Sequence, residues 1–286
     1  DTIQSLNNLA VLYHEQGKYE HAEPLLQRAL SISEQQLGPD HPDTIQSLNN
    51  LAVLYHEQGK YERAEPLYER ALSISEQQLG PDHPDTTQSL NNLAMLYHEQ
   101  GKDELAEPLL QRALNIREQE MGPDHLSTAQ SLNNLAVLYQ EQGKYEHAEP
   151  LLQRALNISE QQLGPTHPDI AQSLNNLAVL YRKQGKYEHA EPLYQRALSI
   201  NEQQQGPDHP DTAQSLNNLA VLYRKQGKYE HAEPLLQRAL RISEQQLGPT
   251  HPRTEKLRKN YIFLLRTMGR KAEAKQVEAR ISSLSP

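Results

Sequence analysis

An all-α solenoid, with helix pairs stacked one on the next, is the fold this sequence predicts. The first observation is recurrence. Ser47–Lys60, SLNNLAVLYHEQGK, returns almost unchanged from Ser5, Ser89, Ser131, Ser173 and Ser215, a spacing of 42 residues. A unit copied at a fixed period cannot bury its apolar face alone and must stack on its neighbours. The second is periodicity, because the apolar residues of each copy fall at i, i+3, i+4 and i+7, one stripe of an amphipathic helix. The third is punctuation: Gly-Lys and Gly-Pro alternate along the chain, each where a helix must stop.

The first unit, residues 1–42, shows the grammar. Leu6, Leu9, Ala10 and Tyr13 make the stripe of helix A, and Gly17 stands where a helix C-terminus wants a left-handed residue. Tyr19, Ala22, Leu25, Leu26, Ala29 and Leu30 carry the same period to Leu37 as helix B. Gly38-Pro39 ends it. Asp40-His41-Pro42-Asp43 opens the next helix A, with Asp40 or His41 at the N-cap, proline in the first turn and an acid facing the positive end of the dipole. The pattern repeats over 43–84, 85–126, 127–168, 169–210 and 211–252, so residues 1–286 read as a single solenoid. From Arg253 it degenerates: Leu264, Leu265, Gly269, Ala272 and Ala274 keep it, while Arg258, Lys259 and Gln276 give 253–286 the polar surface of a capping unit. Ala10, Ala22 and Ala29 are small where the helices must approach closely. Pro24, like Pro66, Pro108, Pro150, Pro192 and Pro234, falls near the second turn of helix B, removes a ladder bond and predicts a bend on the outer face.

Composition narrows the class further. The net charge of −9 conceals a basic stretch from Arg253 and a more acidic body before it, which argues against general binding to nucleic acid. There is no cysteine, hence no disulfide and no thiolate metal site. No long apolar run or signal peptide is present, so the chain reads as soluble, without a membrane partner, and cytoplasmic. It begins without Met at the phase of Asp43 and Asp85, which reads as an excerpt from something longer.

Leu-x-x-Leu-Ala-x-x-Tyr, Gly-Lys-Tyr, and Ala22, Leu26 and Ala29 together resemble the tetratricopeptide repeat, with Leu6 in place of its usual Trp and without its closing Pro. The 42-residue spacing and the strings LNNLAVLY, GKYEHAEPLLQRAL and LGPDHPD are similar to the units of kinesin light chains and their bacterial relatives. The resemblance implies a right-handed superhelix whose helices A line a concave face. It also implies a protein-interaction scaffold, since the kinesin light chain groove takes short peptides in which tryptophan is flanked by acidic residues.

At roughly 100° per residue, Gln4, Asn7, Asn8, Val11, His14 and Glu15 share the side of helix A opposite its apolar stripe. The Asn pairs recur in every full unit. The resemblance to peptide-binding repeats makes the second of each pair, Asn8, Asn50, Asn92, Asn134, Asn176 and Asn218, the candidates for holding a peptide backbone, with Val53 among them on the floor. The alternative is that one Asn of each pair bonds to its counterpart across neighbouring helices A. The following positions are graded: His14-Glu15, His56-Glu57 and His98-Glu99 give way to Gln140-Glu141, then to Arg182-Lys183 and Arg224-Lys225. Arg182, Lys183, Arg224 and Lys225 are candidates for binding the acids of a linear peptide, or else are solvated residues at helix ends that suit the dipole.

No chemistry for catalysis is legible. His41, His83, His125, His167, His209 and His251 sit in the turns between units, where a capping role fits better than ligation. His14, His56 and His98 lie on successive helices A, about 9–10 Å apart, too far to converge on zinc. There is no nucleophile with base and orienter, no phosphate loop and no His-Glu-x-x-His, so no enzyme, metal or cofactor is expected. The rivals to a docking scaffold are a structural spacer, an array that self-associates end to end through its uncapped first unit, and the regulatory tail of a larger signalling protein.

Overall fold

The computed structural model describes residues 2–282, and among these it holds fourteen helices and no strand. The fold is all-α, a solenoid of paired helices. Contacts divide the chain into two units, Asp1–Lys144 and Tyr145–Pro286. The first holds α1 (Thr2–Glu15), α2 (Tyr19–Gln36), α3 (Pro42–Glu57), α4 (Tyr61–Gln78), α5 (Thr86–Glu99), α6 (Asp103–Glu120) and α7 (Leu126–Glu141). The second holds α8 (Tyr145–Leu163), α9 (Pro168–Lys183), α10 (Tyr187–Gln204), α11 (Pro210–Lys225), α12 (Tyr229–Gln246), α13 (Pro252–Thr267) and α14 (Lys271–Ser282). Within each, a helix packs on its neighbours in sequence, and helices A also touch one another, α1 on α3, α3 on α5, α5 on α7, then α9 on α11 and α11 on α13.

Each helix A ends as its glycine requires. Gly59 has φ +70°, its N–H donates to His56 O at 2.9 Å, and Lys60 N–H reaches back to Tyr55 O at 2.8 Å, so a left-handed residue satisfies the last carbonyls. The other junction caps the next helix. The Nδ1 of His41, His83, His125, His167, His209 and His251 accepts the backbone N–H two residues on, at 3.1 to 3.3 Å. His41, rather than Asp40, is the N-cap of α3. Beneath it Thr44 is buried, its Oγ1 bonded to Gly38 O at 3.1 Å and within 3.0 Å of Ser33 Oγ.

The alanines are where close approach needs them. Ala10, Ala22, Ala29, Ala52 and Ala64 are all fully buried. Pro24, Pro66, Pro108, Pro150, Pro192 and Pro234 lie inside their helices, which continue through them, and all six are exposed. The junctions between repeats are also tied by arginine. Arg70 forks its guanidinium between Glu34 Oε1 at 2.6 Å and Pro39 O at 2.7 Å; Arg238 does the same to Glu202 at 2.6 Å and Pro207 O at 2.9 Å.

Arg258, expected on the polar surface of the last repeat, is instead 3% exposed, its one Nη2 donating to both Glu244 Oε1 and Pro249 O, each at 2.9 Å. It takes over from α13 the tie that Arg70 and Arg238 make from helices B, whereas Lys259 and Gln276 are exposed as expected. On α1, Leu9 and Leu12 are 42% and 50% exposed, although their counterparts Leu51 and Leu54 are buried in the stack.

Candidate functional site

The helix-A residues read as a polar floor fall into two sets. In four pairs the first Asn is buried, Asn7, Asn49, Asn175 and Asn217, while Asn91 and Asn133 are half-buried like their neighbours. The second lies nearer the solvent, Asn8 exposed and Asn50, Asn92, Asn134, Asn176 and Asn218 half-buried. The reason is packing. With α3 against α5, or α9 against α11, the contact between helices A covers one side of the floor and leaves the other open.

In the first unit Asn8 Oδ1 accepts from Gln4 Nε2 at 2.9 Å. Val53 is half-buried beside Asn50 and Asn49 on α3. The Oδ1 atoms of Asn7, Asn49 and Asn91 are buried without a hydrogen-bond partner among the described residues. The graded positions pair across neighbouring repeats. His14 Nε2 is 2.8 Å from Glu57 and His56 Nε2 is 3.0 Å from Glu99, while Tyr19 and Tyr61 donate their hydroxyls to the same two carboxylates. His98 turns instead to Asp103 at 2.7 Å. The hydrogen bond from His14 holds the Glu57 carboxyl below its ordinary range, against the opposing effect of burial. Burial pushes the Tyr68 phenol up, helped by the charges of Glu57 and Glu99, so it stays neutral beneath them.

The second unit replaces these acids with cations. Asn176 and Asn218 accept from Gln172 and Gln214, each at 2.9 Å; Asn218 Nδ2 donates to Asn175 Oδ1 at 3.3 Å, and Asn260 Nδ2 to Asn217 Oδ1 at 2.7 Å. The bonding across helices A and the open second Asn therefore coexist. Arg182 Nε lies 3.4 Å from the hydroxyl of buried Tyr194. Arg224 stacks 4.5 Å from the centre of the Phe263 ring, which is 54% exposed. Neither arginine has a carboxylate within 4.0 Å among the described residues. Burial pulls the Arg224 pKa down, Arg182's charge adds to this, and Tyr229 opposes it. Lys183 is half-buried and Lys225 exposed.

Phe263 was not singled out in the sequence, though it is the chain's one phenylalanine and stands one period after Val221, in the register of Val53. A hollow of about 400 Å³ in the first unit opens between α3, α4 and α5 beside Asn49 and Asn50. Among the described residues no cluster of side chains is arranged to hold a metal ion, and no helix is long and apolar enough to cross a membrane.

Comparison with known proteins matches the architecture. A family model described as tetratricopeptide repeat matches residues 1–77, 58–119, 103–161, 127–203, 169–245 and 211–284. The structure of BtubC (BKLC) from P. vanneervenii is 27% identical, covering 84% of this chain and 94% of that one, with a TM-score of 0.61. A putative kinesin light chain from Podosopora anserina, with nearly identical repeats of the same type, is 28% identical over 72% of this chain and 97% of its own, with a TM-score of 0.58. A repeat protein from Parabacteroides merdae, 20% identical, covers 100% of this chain and 94% of its own at a TM-score of 0.60, a likeness of fold alone. A comparison with curated protein sequences finds no significant match.

Proposed function

We propose, for a chain that belongs to the tetratricopeptide repeat family, that the open side of its helices A docks a segment of a partner protein and that in the second unit this segment is acidic. Tetratricopeptide repeats generally act as scaffolds for contact between proteins. Asn8, Asn50, Asn92 and Asn134 in the first unit, and Asn176 and Asn218 in the second, hold the backbone of the segment through their amides. Val53 supplies apolar floor. Arg182, Lys183, Arg224 and Lys225 take its carboxylates.

One observation carries this reading. Arg182 and Arg224 hold the same place near the ends of α9 and α11, which touch, yet neither has a carboxylate partner among the described residues. Two like charges held together are destabilising unless an anion joins them. Phe263, stacked under Arg224, fixes one guanidinium and offers an apolar face beside it.

The test is fluorescence anisotropy with an acidic, tryptophan-containing peptide and its scrambled and Glu-to-Gln forms. Reversing both charges in Arg182→Glu/Arg224→Glu should weaken the acidic peptide by tenfold or more and flatten its salt dependence. Unchanged affinity would reject the assignment. A second reading, end-to-end association, draws on the exposure of Leu9, Val11 and Leu12 on α1. Mass that rises with concentration, and stops rising in Leu9→Ser/Leu12→Ser, would support it.

A further inference from the structure

The hollow of the first unit has a chemistry opposite to that of the arginine pair. It is lined by Asp43 and Asp85, by the amides of Gln46, Asn49 and Gln88, and by apolar Ile45 and Leu79, with no basic side chain on its wall. Asn49 is 5% exposed, and its Oδ1 is a buried acceptor with no donor among the described residues. A buried acceptor left without a donor is costly, and a donor entering the hollow would relieve it.

The second unit shows what such a donor looks like. There the equivalent acceptors are filled by the chain itself: Asn175 Oδ1 receives Asn218, and Asn217 Oδ1 receives Asn260. One period beyond Asp211, at the position that Asp85 holds relative to Asp43, stands Arg253, its guanidinium 3.8 Å from Asp211 Oδ1. At that last register the array sets a cation against the aspartate, whereas Asp43 and Asp85, like Asp169 and Asp211, are both kept.

We infer that the hollow bounded by α3, α4 and α5 receives a lysine or arginine side chain of the docked segment. The aliphatic stem lies on Ile45 and Leu79, and the charged end lies between Asp43 and Asp85 with one N–H on Asn49 Oδ1. His41 and His83, each 3.8 Å from the corresponding aspartate, cap the helices through Nδ1 and leave the carboxylates facing outward. Arg117 on α6 also feels the charge of Asp85 but does not line the hollow. The inference rests on the docking reading above and adds a subsite of opposite sign to it.

The test is a titration of the full chain, isotopically labelled, followed by backbone amide shifts in NMR. The probes are acetyl-Gly-Lys-Gly-amide, its arginine counterpart, an isosteric norleucine peptide and a glutamate peptide. The lysine and arginine peptides should give saturable shifts around Gln46, Asn49 and Gln88, with an affinity on the order of 1 mM. The norleucine peptide should give none. Asp85→Arg, which copies the arrangement at Arg253, should weaken the cationic peptides at least tenfold while leaving the remaining spectrum folded; Asn49→Leu should weaken them less. Equal shifts from norleucine, from magnesium chloride, or from the cationic peptides on Asp85→Arg would overturn the subsite. Shifts from the glutamate peptide around Arg182 and Arg224 with none at Asn49 would overturn the subsite alone; silence from every peptide would remove the docking reading with it.

Discussion

Asn218 donates its side-chain Nδ2 to Oδ1 of Asn175 at 3.3 Å, so a residue on the open side of α11 is also a rung between α11 and α9. The next rung runs from Asn260 to Asn217 at 2.7 Å, and Asn217 is 4% exposed.

Asn217→Ala should therefore destabilise the second unit by about 1–3 kcal/mol, because it strands a half-buried donor as well as opening space. Asn218→Ala should cost a similar amount, about 1–3 kcal/mol, because it strands the Oδ1 of buried Asn175. Urea midpoints of the two variants measure both losses. A loss near zero for either would mean that its rung does not hold α9, α11 and α13 together.

Arg70 joins two repeats through one charged and one neutral acceptor, Glu34 at 2.6 Å and Pro39 O at 2.7 Å. Lysine keeps the charge but has no fork. Arg70→Lys should lower stability by about 0.5–1 kcal/mol, the modest figure that suits a pair one-third exposed. Part of that loss should persist in high salt, since the bond to the carbonyl is not screened as an ion pair is. Thermal unfolding at two ionic strengths separates the parts.

Glu57 has its carboxyl held below the ordinary 4.5, first by the hydrogen bond from His14 and against burial, with His14's charge, Tyr19 and His56 adding to the effect. The folded state then binds fewer protons than the unfolded chain just below that value. Its contribution is present above about pH 4.5 and is lost as pH falls through the lowered value. Glu57→Gln should be less stable at neutral pH and show a shallower decline below pH 4.5 in urea titrations across that range. An unchanged slope would mean that the carboxylate owes nothing to folding.

Gly59 has φ +70° and open space where a Cβ would stand. Any penalty is one of backbone conformation rather than collision. Gly59→Ala should cost about 1–2 kcal/mol, and Gly59→Asn distinctly less, because asparagine tolerates the left-handed region. Denaturant midpoints of the pair decide it; a larger loss for asparagine would point to crowding.

How far the structure was legible in the sequence follows from how local each cause is. Gly59 and the capping histidine His41 act within a few residues of themselves, so their roles could be read directly. The helices followed from Leu48, Leu51, Ala52 and Tyr55 for the same reason. Asn49 and Asn50 are told apart in the sequence only through the family resemblance, because one step of a helix decides little until the neighbouring helix A is placed beside it. Thr44, fully buried under the turn, looked like any polar residue of a first helical turn. Arg258 was read as surface because its burial depends on Glu244 and Pro249 in the preceding repeat. Phe263 carried a signal, a lone aromatic at the register of Val53 and Val221, but only counting in steps of 42 exposes it.

The arginine forks give the array a property of heredity as well as of mechanics. Because Arg70 and Arg112 fasten their repeats by the same fork, to Glu34 and Pro39 and to Glu76 and Pro81, an in-frame loss of residues 43–84 would bring Arg112 to Glu34 with the joint unchanged. Slippage between such similar copies of the coding sequence would thus lengthen or shorten the protein by whole turns of its own design, leaving selection to tune reach without having to invent a new seam.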